Sequence, residues 1–145
     1  MGRIWKTTFV DIAVETGAYA IGDALGSKNS FVRVPEHGYI VGAVLQDRDS
    51  EKAPIDIVIF DNADIGGTAD NAAFAPTDGE LGSACGVIRI SEYFTFSNNS
   101  IGVANGFKIP YWAKAGSLNF QCQIQAVHSY TAIDDVLIAL YLEIT

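Results

Sequence analysis

Side chains that commonly catalyse reactions are scarce in this chain. It contains two cysteines, Cys85 and Cys122, and two histidines, His37 and His128. Two cysteines outside a C-x-x-C pair do not build a structural zinc site, and no G-x-S-x-G motif marks a serine nucleophile. We therefore expect no enzymatic activity, no cofactor and no catalytic or metal-binding residue. A small β-barrel enzyme that places a histidine beside a carboxylate or a metal is the least favoured alternative.

Acidic side chains are concentrated between residues 61 and 84. Asp61, Asp64, Asp70, Asp78 and Glu80 offer the hard oxygen atoms that calcium prefers. Their spacing does not match an EF-hand loop, in which ligands alternate before a glycine and a distant glutamate. Aspartate and asparagine also stabilise turns by bonding to nearby backbone groups. The pattern favours an ordinary polar loop over a calcium site.

The cysteines and His128 fit structural positions. Cys122 shares an apolar strand face with Phe120 and Ile124, and Cys85 lies at the start of a predicted strand. Buried cysteines behave as small hydrophobic residues, so we predict two unreactive thiols, with a disulfide as the minor alternative. His128 continues the apolar face of its strand, which predicts a partly buried structural histidine. His37 precedes a glycine in a predicted turn.

Two short motifs are interpreted as turns. The sequence GDALGSK at 22–28 does not match the G-x-x-x-x-G-K-[ST] phosphate loop and precedes no predicted helix, so its glycines predict a tight turn or a β-bulge. Asn98-Asn99-Ser100 matches the N-glycosylation pattern, but we expect only a polar turn there.

Three aromatic side chains are candidates for stacking on a sugar. Tyr111 and Trp112 follow a proline, and Trp5 lies near the N-terminus. Neighbouring residues of a strand point to opposite faces, so Tyr111 and Trp112 do not form one platform unless the strand bulges. The pattern favours packing in the core or in an interface.

Alternation with a period of two residues is the dominant pattern that must position these side chains. Between 118 and 128, Leu118, Phe120, Cys122 and Ile124 fall on one face and polar residues on the other. This pattern is typical of a half-buried antiparallel strand. The other predicted strands are 8–14, 18–21, 31–34, 39–45, 55–60, 87–90, 93–96, 107–112 and 136–144.

The stretches 18–21, 31–34, 93–96 and 107–112 show the weaker patterns, and about eight strands separated by turns predict an all-β, antiparallel sandwich. The apolar strands 55–60 and 136–144 are interpreted as central strands or as strands covered by a neighbouring subunit. The best helical stretch is 69–74. The segment 61–84 contains no convincing strand and is longer than most loops, so we expect it to cross an end of the sandwich as a contact surface.

Composition excludes several classes of protein. The chain has 145 residues and a net charge of -8, and only 18 % of the residues are charged. This length predicts one domain, 1–145. The basic residues are scattered, which argues against nucleic-acid binding. No run of about 18 apolar residues predicts a membrane span, and the first residues match neither a signal peptide nor a lipidation motif.

Several stretches together carry a resemblance to a known family. They are AYAIGDALG at 18–26, VLQD at 44–47, IVIFD at 57–61, DNAAFAPTD at 70–78, GVI at 86–88, YTA at 130–132 and VLIALYLEI at 136–144. In order and spacing the chain resembles small structural proteins of tailed bacteriophages that decorate, or cement, the capsid. The resemblance runs from about residue 18 to the end.

This resemblance implies a jelly-roll-like sandwich that assembles as a homotrimer on the outer surface of the virion. The protein would be made in the host cytoplasm, would bridge subunits of the major capsid protein and would bind neither membrane nor nucleic acid. Within 61–84 we predict a partner-contact loop, with Phe74 as its apolar anchor. Its residues are Asp64, Asp70, Asn71, Phe74 and Asp78. The alternative is a carbohydrate- or receptor-binding module of a head fibre or a tail.

Overall fold

The computed structural model, which describes residues 2–61 and 65–144, consists mostly of strands. Strands account for 58 % of the residues and helices for 5 %. The strands found over the described residues are β1 (Arg3–Lys6), β2 (Val10–Asp11), β3 (Gly17–Tyr19), β4 (Ala24–Val32), β5 (His37–Asp47), β6 (Ile55–Phe60), β7 (Ala84–Ile90), β8 (Glu92–Thr95), β9 (Ser100–Trp112), β10 (Ser117–Ile124), β11 (His128–Tyr130) and β12 (Val136–Ile144). The helix α1 (Asp78–Leu81) precedes β7, and a short 3-10 helix (Lys114–Gly116) precedes β10.

The strands form two main antiparallel sheets. The large sheet has the order β1-β12-β5-β9-β8, with β2 also paired to β12, and the small sheet has the order β4-β10-β6-β7. A two-stranded ribbon pairs β11 with β3. The prediction of an all-β antiparallel sandwich is confirmed. The jelly-roll arrangement stays a prediction.

The core lies between the inner faces of the two sheets. In β10, Leu118, Phe120, Cys122 and Ile124 are all buried, as the alternation predicted. Phe120 stacks on Phe31 of β4 with 4.3 Å between the ring centroids. Both rings belong to the small sheet, and burial of such a side chain stabilises the fold by roughly 1.5–3 kcal/mol.

Most of the long strands lie where the alternation predicted them, but the described residues form twelve strands, more than the eight or so predicted. The strands 55–60 and 136–144 coincide with β6 and β12. The predicted strand 118–128 ends earlier, at Ile124, and the chain resumes as β11. The extra strands are mostly pieces of two to four residues, which are too short to display a period of two.

The predicted helix at 69–74 was wrong. Asn71 has a φ of +62°, which a right-handed helix does not accommodate, and the segment forms a turn beside β4. The helix in this segment is α1, which begins at a capping box in which Thr77 and Glu80 bond each other's backbone N–H.

The interpretation of 22–28 as a turn and a bulge is confirmed. Gly22, with a φ of +91°, lies in the turn before β4, and Gly26, with a φ of +76°, lies inside that strand. The pairing of β4 with β10 shifts register around Gly26, between the partners of Phe120 and Cys122. Left-handed backbone conformations of this kind favour glycine.

Candidate functional site

The segment 65–83 lies over the outer face of the small sheet. Gln121, on the outer side of β10, is 1 % exposed and holds the segment in place. Its Oε1 accepts a hydrogen bond from the Thr68 N–H (2.9 Å), and its Nε2 donates to the carbonyl oxygens of Thr68 (2.6 Å) and Gly26 (3.1 Å). The expectation that this segment crosses an end of the sandwich is corrected accordingly, because Gln121 ties it to a sheet face.

A small apolar cluster fastens the same segment. Val58 and Phe60 point outward from β6, and Ile65 and the half-buried Phe74 pack against them. All of β6 is therefore buried on both faces. The apolar residues on the outer side of β6, Val58 and Phe60, are explained by this cover, which the chain supplies itself. Phe74, predicted as an anchor for a neighbour, contributes its ring to this internal cluster.

Asp70 and Asn71 point toward the chain's own backbone. The Asp70 carboxylate accepts hydrogen bonds from the Gly26 N–H (2.7 Å) and from the Tyr19 hydroxyl (2.8 Å). The Asn71 amide donates to the Glu15 carboxylate and to the Ala18 carbonyl oxygen (3.1 Å). Both side chains therefore fix the end of the segment beside β4, which a sequence motif alone did not reveal.

Asp78 is the predicted contact residue that stands exposed, at the start of α1. Beside it, Glu80 accepts hydrogen bonds from the backbone N–H of Thr77 (2.8 Å) and of Gly67 (3.0 Å), and these bonds hold the pKa of Glu80 below its usual value. Asp64 lies outside the described residues.

We call residues 65–83 and the outer face of the small sheet beneath them the platform. Large apolar side chains stand exposed on and around it. Leu81 in α1 is 50 % exposed and Val87 in β7 is 56 % exposed. Ile21 and Val32 are exposed at its border. The platform thus combines an internally fixed backbone with apolar and acidic side chains that face solvent.

The acidic residues do not converge on a cation site. Over residues 2–61 and 65–144, no three His, Cys, Asp or Glu side chains come together in a way that could hold a metal ion. Asp70 and Glu80 are bonded to backbone N–H groups as described above. These bonds are of the kind by which acidic side chains stabilise turns.

Both cysteines are free thiols. Burial raises the pKa of Cys85 to about 12, with the negative charge of Asp61 adding to it, and burial also raises the pKa of Cys122. The thiolate, which is the nucleophile, is therefore disfavoured at both positions. Cys122 is buried as predicted, Cys85 is only partly buried, and the two do not form a disulfide.

The histidines are far from a catalytic arrangement. His128 is half-buried, and its ring nitrogens lie 3.0 Å from the Ala126 carbonyl oxygen and 3.1 Å from the Glu51 carbonyl oxygen. This is the structural position predicted for it. His37 is exposed at the start of β5. Neither of them lines the two clefts described below.

Tyr111 and Trp112 point to opposite faces, as predicted. Tyr111 is 5 % exposed and belongs to the core, whereas Trp112 is 56 % exposed. Trp5 in β1 is 43 % exposed, on the edge of the large sheet. These rings do not form a sugar-stacking platform.

The outer face of the large sheet carries a different aromatic site, which sequence analysis missed. A cleft of about 600 Å³ lies over the end of β5, β9 and β12. Its ring-bearing walls are Phe9, Phe96 and Tyr141, and its floor includes Val44 and Ile101. A second depression of about 300 Å³ continues from it across Val44 and Tyr141.

A weak signal in the sequence was available for this face. A sheet whose outer face meets water shows polar residues at every second position. In β5, β9 and β12 several of those outward positions carry apolar residues instead. They are Val44, Ile101, Val103, Leu137 and Ala139.

Comparison with known proteins adds no assignment to these surfaces. No protein-family model matches the chain, and no curated protein matches it. Among the described residues, no helix is both long and apolar enough to span a membrane.

Proposed function

We propose that this protein is a non-enzymatic structural protein of a phage virion, which decorates the outer capsid surface and cements major capsid subunits as a homotrimer. The resemblance described above suggests this role. The single observation that carries it further is the platform, because the segment predicted to contact partners is tied down by internal hydrogen bonds and exposed apolar side chains stand on and around it.

A cement protein needs a contact surface that is already ordered before it binds. Ordering a loop or an exposed side chain on binding costs free energy that weakens the complex. Gln121, Asp70 and the α1 capping box fix the backbone of residues 67–80. The backbone of this segment therefore loses little conformational freedom when a partner docks on this face.

The exposed side chains of the platform suit a capsid seam. Leu81 and Val87 supply apolar area, and Asp78 adds a charge that selects a basic or polar counterpart. A homotrimer presents three copies of this surface at once. Symmetric repetition multiplies weak contacts into a stable attachment.

The test is rebinding to capsids that have been stripped of their decoration protein. Wild-type protein is expected to rebind, and Leu81→Gln is expected to lower the affinity by about tenfold, because it removes apolar contact area. Ile133→Gln is the matched control, since Ile133 is a 66 % exposed side chain outside the platform.

Sedimentation of the free protein tests the homotrimer separately. A species of three 15.5-kDa chains is expected. A strict monomer with no affinity for capsids would overturn the proposal. Loss of rebinding in Ile133→Gln but not in Leu81→Gln would show that the platform is not the contact surface.

A further inference from the structure

We infer that the cleft on the outer face of the large sheet binds a carboxylate-bearing saccharide. We call it the aromatic cleft and define it by Phe9, Phe96 and Tyr141. The platform and the aromatic cleft lie on opposite outer faces of the sandwich. A protein attached through the platform would therefore present the aromatic cleft to the medium.

The rings and polar side chains of the cleft match the two kinds of surface on a sugar. A pyranose ring has a C–H face that packs on aromatic rings and hydroxyl groups that bond to planar polar side chains. Phe96 is 55 % exposed and Tyr141 36 % exposed, so ring faces are accessible. The amides of Gln46 and Asn99 line the same cleft. Its volume of about 600 Å³ suits a short oligosaccharide.

The charge of the cleft selects an acidic ligand. Lys6 places its Nζ 4.5 Å from the centre of the Phe9 ring, and among the described residues it forms no ion pair. Arg48 is 48 % exposed, and its contact with Asp134 is long, at 3.6 Å. Asp47, the acidic residue that lines the cleft, turns its carboxylate toward the backbone of Asp49 and Lys52.

The main chain around the cleft argues against a peptide as the occupant. Peptides that bind to sheets commonly add a strand to a free edge, where main-chain groups are unpaired. Strands β5, β9 and β12 are each hydrogen-bonded on both sides, so the floor offers side chains instead. A peptide would lose hydration of its backbone without replacement bonds. A saccharide instead carries its hydroxyl groups around the edge of the ring, where they can bond to side chains while the C–H face packs on the aromatic rings.

Titration with 3′-sialyllactose, followed by saturation-transfer NMR and calorimetry, tests the inference, with lactose as the neutral counterpart. We expect binding of sialyllactose at a Kd of about 1 mM, and weaker binding of lactose. Phe96→Ala is expected to weaken binding about tenfold or more, because Phe96 supplies an accessible ring. Trp112→Ala is the control for an exposed ring outside the cleft.

The role of positive charge in the cleft is tested with the double variant Lys6→Gln/Arg48→Gln. This variant is expected to lose the preference for sialyllactose over lactose. Lys108→Gln is the control, since Lys108 is exposed, bonds Glu143 and does not line the cleft. Unchanged unfolding midpoints show that each variant folds. No binding of sialyllactose at about 10 mM would overturn the inference. A change in self-association of the cleft variants, in place of a change in sugar binding, would overturn it as well.

Discussion

Among the glycines, Gly26 occupies the position at which the fold tolerates an added side chain least. Its φ of +76° disfavours any side chain, and an added Cβ would lie 2.3 Å from the Ile12 carbonyl oxygen. A backbone oxygen does not move aside as the end of a flexible side chain does. The irregular register of β4 against β10 therefore depends on glycine at this position.

Gly26→Ala is expected to lower the free energy of unfolding by roughly 2–4 kcal/mol, as measured by urea denaturation. Gly106→Ala is the control, because Gly106 has a similar φ of +80° but nothing within 4 Å of its added Cβ. Gly106→Ala should cost only about 1–2 kcal/mol, the penalty for the left-handed φ alone. Equal losses in the two variants would show that the contact with Ile12 is unimportant.

Asp47 is a buried carboxyl group that makes the stability of the fold depend on pH. It is 2 % exposed, and its carboxylate accepts hydrogen bonds from the N–H of Lys52 (2.6 Å) and of Asp49 (3.1 Å). Burial raises the pKa of Asp47, and the backbone bonds only partly offset that rise. The folded protein thus binds a proton here more readily than the unfolded chain does.

Asp47→Asn tests the sign of this linkage. A raised folded-state pKa gives stability that is fully present below the unfolded value of 3.8 and is lost as the pH rises through the folded value. The free energy of unfolding of wild type, relative to Asp47→Asn, should therefore increase as the pH falls from neutral toward 3.8. Urea denaturation at several pH values measures this difference, and a flat or opposite trend would contradict it.

At the scale of elements, the attachment of the platform segment to the small sheet depends on one side chain, Gln121. Gln121 makes three hydrogen bonds to the backbone of Thr68 and Gly26. Buried polar groups left without partners cost about 1–3 kcal/mol each. The attachment of residues 65–74 to the small sheet is therefore sensitive to this amide.

Gln121→Leu should lower the free energy of unfolding by roughly 2–5 kcal/mol, because the leucine fills the space but leaves backbone groups unpaired. Hydrogen exchange of residues 65–74 should accelerate, while the exchange of β12 should change less. Gln123→Leu is the control, since Gln123 makes a single long bond of 3.4 Å to the Gly22 carbonyl oxygen. Similar stability and exchange in both variants would argue against this role of Gln121.

At the scale of the whole molecule, net charge opposes self-association. Each chain carries a net charge of -8, so three chains repel one another wherever their surfaces meet. Apolar side chains on the surface must therefore supply the attraction in the proposed homotrimer. Outside the platform, exposed apolar side chains that could do so include Phe94 and Val127.

Salt is expected to strengthen the homotrimer. Raising ionic strength from about 0.01 M to about 0.15 M shortens the screening length from about 30 Å to about 8 Å, which weakens the repulsion. The association constant, measured by sedimentation equilibrium, should rise over this range. A fall would indicate an interface dominated by ion pairs between copies.

The sequence by itself determined the fold class, since alternation depends only on which residues avoid water. Strands β6, β10 and β12 were predictable because each has enough residues to show its pattern. Short strands such as β2 and β11 are defined by their partners, and the partners are distant in the chain. The burial of Cys122 and the turn at Gly22 were likewise local enough to predict.

Only the tertiary structure decided what covers each sheet. The small sheet is covered by residues 65–83, since Gln121 reaches across 53 positions to Thr68, and no local pattern encodes that bond. Asp70 became an internal acceptor for the same reason, whereas Asp78 stayed exposed. The aromatic cleft joins Phe9, Phe96 and Tyr141 from separate parts of the chain. Alternation assigns each residue to a face, but the contacts that cover or expose that face are made between distant positions.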